Sequence, residues 1–169
     1  MKYDAPIKDM MFLLTEFIGL EQLRKLPGND EVDADLFEAI LEEAGKFTST
    51  ELLPINQVGD EHGAKHANGE VTTPPGFKEA YQQFIDNGWT GIDSNPDHGG
   101  QGLPKVLHVL IDEMLGATNL AFKLYSELSR GAYHLLDNTA SEEIRARYLP
   151  KMVAGVWSGT MCLTEPHCG

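Results

Sequence analysis

The sequence predicts an all-α domain, a bundle of about six helices around one core. Three observations carry this. Apolar residues recur at helical spacing through most of the chain. Prolines and glycines interrupt that period where helices would end. Mixed β-branched and aromatic character is confined to a late stretch, Val156 to Leu163.

The first helix carries Met10, Leu13, Leu14, Phe17 and Ile18 on one face, and Pro27-Gly28-Asn29 breaks the chain after it. The second carries Leu36, Phe37, Ile40, Leu41, Ala44 and Phe47 on one stripe. Asp33 and Asp35 stand near its start, where carboxylates suit exposed amides. Pro54 is expected to end it. Residues 56–73 lack an apolar period and contain Gly59, Gly63 and Gly69, so a surface loop is expected. Pro74 and Pro75 then open a third helix, with Phe77, Tyr81, Phe84 and Ile85, which Asn87-Gly88 closes. A second irregular stretch runs from Gly91 to Gly102. The fourth helix begins at Pro104 with Val106, Leu107, Leu110, Ile111 and Met114, and Gly116 to Asn119 interrupt it. The fifth runs from about Leu120 to Leu136. Ser141, Glu142 and Glu143 form the cap and acidic first turn of the sixth, which should end near Pro150. Val156 to Leu163 then reads as a strand. A lone strand makes no sheet, so it is expected to pair with another chain or lead into further sequence.

A chain of 169 residues, 41% hydrophobic, is the size of one ordinary domain and can bury a real core. Its charges are scattered, which argues against disorder. The formal net charge of −13 repels phosphate backbones, so nucleic acid is not expected as a partner. A phosphate-bearing ligand would need a basic patch assembled in space, because no dense basic run is present. Cys162 and Cys168 do not make a disulfide framework, and reduced thiols are expected. The start lacks the features of a signal peptide, and no apolar run approaches the roughly 20 residues that span a bilayer. The expectation is a soluble, cytoplasmic protein with no membrane span.

The segment Trp157-Ser158-Gly159-Thr160-Met161-Cys162-Leu163-Thr164-Glu165-Pro166 reads as a strand entering a proline turn. Strand-end amides and a threonine hydroxyl suit the polar edge of a planar heterocycle, although an ordinary β-turn is the plainer reading. Other chemistry-bearing residues invite weaker readings. His62 and His66 lie near Asp60 and Glu61, but Gly63 and the surrounding polarity favour a solvated loop, and no metal site is expected. His167 and Cys168 are adjacent, so their side chains diverge and do not suit a catalytic pair. Gly99-Gly100-Gln101-Gly102 is not a dinucleotide-binding fingerprint. His108 and His134 lie in helical stretches, where a satisfied or surface histidine is expected rather than a ligand.

Taken together, these segments resemble the acyl-CoA dehydrogenase family. Leu163-Thr164-Glu165-Pro166-x-x-Gly169 is similar to its signature, in which L/V-T-E-P is followed by A-G-S-D. His98-Gly99-Gly100-Gln101-Gly102-Leu103-Pro104 resembles its Y-G-G-x-G-L loop, and Glu142 to Pro150 its E-E-Q-K-x-x-Y-L-P helix. Tyr3-x-Ala5-Pro6-x-x-Asp9 resembles a long subfamily with an extra N-terminal segment, which includes 3-methylmercaptopropionyl-CoA dehydrogenases. His167 and Cys168 stand where the family has small residues.

The resemblance implies a family-type N-terminal helical domain over residues 31–155. An extension helix over 1–30 precedes it, and the truncated start of a middle β-domain over 156–169 follows. It implies an FAD-dependent enzyme that removes a proton and a hydride from an acyl-CoA thioester. An electron-transfer flavoprotein is the implied partner of the parent, and a homo-oligomer is possible within the family. Met161, Leu163, Thr164 and Gly169 become the expected FAD contacts, and Phe122 and Tyr125 the expected acyl-pocket residues. No catalytic residue is expected here, because the family's base glutamate lies in a C-terminal domain. The 169 residues alone are therefore expected to be inactive. Two other readings stay open on sequence: a non-enzymatic helical module or gene remnant, and an acyl-CoA oxidase-like flavoprotein.

Overall fold

Helix α3, Ala34–Phe47, shows how the bundle is built in the computed structural model, which describes residues 2–27, 29, 32–164 and 166–167. Asp33 caps it, its carboxylate accepting the Asp35 N–H at 3.3 Å. Phe37, Leu41, Ala44 and Phe47 follow the helical period and are all buried. Before it come α1, Ile7–Phe12, a π-helical turn at Leu13–Ile18, and the single turn α2, Leu20–Leu23. These N-terminal turns join the main core through Met10, Leu14 and Leu23. A Cβ on Gly45 would stand 2.8 Å from Ala5 Cβ, so the N-terminal segment crosses α3 at close range because residue 45 has no side chain.

The structure departs from expectation after α3. Pro54 does not end the helical run. The backbone passes through a π-helical turn at Thr48–Leu52 into α4, Leu53–His62, with Pro54 in the first turn of α4. The π turn shifts the carbonyl register just before a residue that lacks an N–H. The expected loop over 56–73 is thus half helix. Its remainder is an antiparallel hairpin, β1 at Lys65–Ala67 and β2 at Glu70–Thr72, with His66 opposite Val71. Asn68 and Gly69 make the turn with φ of 54° and 81°, as a two-residue type I′ connection requires.

The later helices follow the sequence closely. They are α5, Phe77–Asp86; α6, Lys105–Thr118; α7, Leu120–Thr139; and α8, Glu142–Val153. Helix α8 continues past Pro150 by almost one turn. The main core is shared by α3, α5, α6 and the start of α7, and a smaller cluster joins Tyr133 of α7 to Leu149, Met152 and Val153 of α8. The all-α class holds.

The strand expected over Val156–Leu163 does not form. Val156 and Trp157 N–H both donate to the Lys151 carbonyl, at 3.0 and 3.1 Å, closing the C-terminus of α8. Residues 158–164 run on without a ladder partner among the described residues. Apolar and β-branched composition favours a pleated surface, but a strand needs a neighbour to pair with.

Asn119 holds the α6–α7 corner. Its side-chain carbonyl accepts the Phe122 N–H at 3.1 Å and its amide donates to the Leu52 carbonyl at 3.2 Å, in a fully buried site. Asn119→Ala should lower unfolding stability by about 2 kcal/mol, because it removes a cap and orphans a buried carbonyl. Denaturant unfolding measures this.

Candidate functional site

The loop before α6 aims a carboxylate at α7. Short 3₁₀ turns at Trp89–Gly91 and Pro96–His98 fold residues 91–103 back on themselves. Gly100 N–H donates to the Asn95 carbonyl at 3.0 Å, Gly102 N–H to Ser94 at 2.9 Å and Leu103 N–H to Ile92 at 3.0 Å. A Cβ on Gly100 would lie 2.1 Å from the Ser94 carbonyl oxygen, so the loop closes only with glycine there. The glycine-rich motif is therefore a folding device in this chain.

Asp93 projects from this loop and is almost wholly buried, its side chain 3% exposed. Arg130 of α7 grips it, donating from Nε to Oδ1 at 3.2 Å and from Nη2 to Oδ2 at 2.6 Å. His134 Nε2 lies 3.2 Å from Oδ2. One turn further, the Tyr133 hydroxyl accepts the Asn95 N–H at 2.9 Å and meets His98 Nδ1 at 3.0 Å. Burial alone would raise the Asp93 carboxyl, but hydrogen bonds from His134 and Arg130 and the guanidinium charge hold it well below the usual carboxylate range.

A second polar group continues the network between α6 and α7. His108 Nε2 is 2.9 Å from Glu127 Oε1, and Lys123 Nζ is 2.7 Å from Asp112 Oδ2. The His108 hydrogen bond lowers the Glu127 carboxyl, against burial. His108, Asp112 and Glu127 converge closely enough to suggest a cation site. The Lys123 ammonium and the Arg130 guanidinium, 3.7 Å from Glu127 Oε2, already supply the positive charge there. The arrangement reads as an ion-pair network.

The expected acyl-pocket residues lie side by side on α7. Phe122 is buried, edge-on to Phe84 at 5.5 Å between ring centroids and 6.2 Å from Tyr81. Tyr125 is half exposed and meets the Tyr81 ring edge-on at 5.1 Å. Both line an apolar groove of ≈510 Å³ with Val71, Thr72, Phe77 and Tyr81. The Tyr81 hydroxyl donates to the Gly155 carbonyl at 3.1 Å, and burial pushes its pKa up to about 12. It stays a neutral donor at any physiological pH.

The expected flavin contacts are separate from that groove. Met161, Leu163 and Thr164 are all exposed on the segment that leaves α8, and none lines the groove. Gly169 lies outside the described residues, as does Cys168, while Cys162 is exposed. His62 ends α4 and His66 sits in the hairpin, both exposed. The roles of Asp93, Arg130 and His134 are not legible in the sequence, because the partners stand 37 and 41 residues apart and nothing in the spacing joins them. Among the described residues no helix is long and apolar enough to cross a membrane.

The chain is thus a capped helical bundle with a glycine-closed loop before α6 and an exposed strip after α8. Residues 35–156 match the model of the acyl-CoA dehydrogenase N-terminal domain, and the chain belongs to that family. It is 40% identical along its whole length to the 3-methylmercaptopropionyl-CoA dehydrogenase of Ruegeria pomeroyi, covering 29% of that protein. It is 32% identical over 96% of its length to a butyryl-CoA dehydrogenase of Syntrophomonas wolfei, covering 27% of that protein. A broad-specificity linear acyl-CoA dehydrogenase of Mycobacterium tuberculosis is 26% identical over 99% of the chain. The chain thus spans less than a third of the length of these curated relatives.

Asp93→Asn should cost about 3 kcal/mol, since it removes the close counter-charge of a mostly buried guanidinium and leaves it only the more distant Glu127. The depressed carboxyl also sets a pH dependence. Its contribution is complete above the ordinary aspartate value of ~4 and is lost as pH falls through the folded value, so wild-type stability should drop in acid. Asp93→Asn should lose part of that acid sensitivity. Urea titrations of both proteins between neutral pH and pH 3 read both effects.

Proposed function

We propose that this chain is the N-terminal α-domain part of an FAD-dependent acyl-CoA dehydrogenase, with residues 1–30 an extension and 156–169 the start of a middle β-domain. The family match carries the reading, and the exposed strip at Met161–Thr164 supports it. The strip fits a flavin edge on one observation. Among the described residues, the backbone amides from Met161 to Thr164 have no hydrogen-bond partner. Exposed backbone donors beside a threonine hydroxyl suit the polar rim of a planar heterocycle. Met161, Leu163, Thr164 and Gly169 would hold that rim. The chemistry FAD supplies when bound is acceptance of the β hydride of an acyl thioester.

The chain's own residues then do three things. Tyr125 and Phe122 form one wall of the groove that takes an acyl chain, and they exclude water from it. Thr164 and the neighbouring amides orient the cofactor. The Asp93–Arg130 pair keeps α7, which carries the acyl wall, fixed against the glycine loop. The base that abstracts the α proton is not supplied by these residues, so the 169-residue chain is inactive alone. An electron-transfer flavoprotein serves as electron acceptor for the parent, which works in the cytoplasm in fatty acid β-oxidation.

Dye-linked oxidation of acyl-CoA esters by the full-length protein tests the reading. Turnover of at least one ester is expected, and a flavin-loaded protein inert to every chain length contradicts it. In the 169-residue chain, fluorescence titration should show weak FAD binding or none, whereas tight stoichiometric binding would refute the claim that most of the cofactor site lies elsewhere. In the full-length protein, Thr164→Val should weaken FAD binding about tenfold by removing one hydrogen bond.

A further inference from the structure

The strip that leaves α8 is held at successive points before it becomes exposed. Thr90 Oγ1 donates to the Val153 carbonyl at 2.7 Å, and the Tyr81 hydroxyl to the Gly155 carbonyl at 3.1 Å. The Trp157 ring lies under Lys151 Nζ, 4.0 Å from its centroid, and 5.4 Å from the Tyr148 ring. Gly159 then meets α7. Its N–H donates to Ser129 Oγ at 3.2 Å. A Cβ on Gly159 would lie 2.4 Å from Ala132 Cβ and 3.4 Å from the Leu128 carbonyl oxygen. The backbone therefore rests directly on α7, in a notch between Ser129 and Ala132, which share one helix face. Thr160 to Thr164 are all exposed beyond it. Arg130, the neighbour of Ser129, is tied to the buried Asp93, which anchors α7 at this point.

We propose that Ser129 and Gly159 are a positioning pair: their contact sets the register of the strip on α7 at Gly159, the point from which Met161–Thr164 leave, and through it the placement of the flavin edge. The consequence for flavin rests on the function proposed above; the contact itself does not. Two physical features make the pair directional. The hydroxyl fixes the strip along the helix by one hydrogen bond. The missing side chain at residue 159 fixes its height, because any Cβ would lift the backbone off Ala132.

Amide exchange measured by NMR on the 169-residue chain reads the contact directly. Ser129→Ala should speed exchange of the Gly159 N–H about tenfold, the loss of one modest hydrogen bond. Protection in α3 and α6 should stay unchanged. Ser129→Thr keeps the hydroxyl and should restore wild-type exchange. Gly159→Ala should shift the amide resonances of residues 157–164, and adding Ala132→Gly should move them back by making room for the new methyl. Unchanged Gly159 exchange in Ser129→Ala, or no recovery in the Gly159→Ala/Ala132→Gly pair, overturns the proposal. In the flavin-loaded full-length protein, Ser129→Ala should shift the flavin absorption bands and midpoint potential, with recovery in Ser129→Thr. A wild-type spectrum and potential in a flavin-loaded Ser129→Ala protein would also overturn it. A wild-type full-length protein that holds no flavin would refute the flavin reading, while the exchange results would decide the contact separately.

Discussion

The buried ion pair between Asp93 and Arg130 is the constraint on which the rest of the site depends. A carboxylate taken almost wholly out of water is tolerated only with strong compensation. Two guanidinium hydrogen bonds and a histidine supply it here. The pair joins a glycine-rich loop to the middle of α7. The Tyr133 hydroxyl adds a second tie to the same loop. Together they fix both the position of the helix and its rotation about its own axis.

Helix α7 then serves two surfaces at once. Near its N-terminus, Phe122 and Tyr125 turn toward an apolar groove shared with α5 and the hairpin. Near its middle, Ser129 and Ala132 carry the backbone of the strip that follows α8. One helix, anchored beside the second of them, relates these two surfaces geometrically. Under the proposed function this would let the domain hold an acyl chain and a cofactor edge in fixed relation, where a misplacement of about 1 Å is costly in rate. The neighbouring polar network, His108 with Glu127 and Asp112 with Lys123, ties α6 to the same helix.

The helices were legible because each buries a stripe at the helical period. Phe37, Leu41 and Ala44 of α3 and Leu107, Ile111 and Met114 of α6 occupy the core positions that their spacing implies. The failures have physical causes. Pro54 reads as a stop, yet a π turn placed just before it lets the helix resume. The hairpin at 65–72 carried its signal in Asn68-Gly69, but its strands are exposed on both faces and so show no apolar alternation. Val156–Leu163 has strand composition without a partner strand. As for the site, the acyl-wall and flavin-strip residues came from resemblance of motifs. The Asp93–Arg130 pair came from neither pattern nor motif, because a long-range buried ion pair leaves no local trace in a sequence.

A double-mutant cycle on Asp93 and Arg130 tests the central claim most directly. Stability would be measured for the wild type, Asp93→Asn, Arg130→Met and the double variant. If the pair clamps the loop to α7, the two single losses should overlap, with a coupling energy of at least about 2 kcal/mol. A coupling energy near zero, with the two losses simply adding, would mean that each residue acts alone and that the loop and α7 are held together by something else.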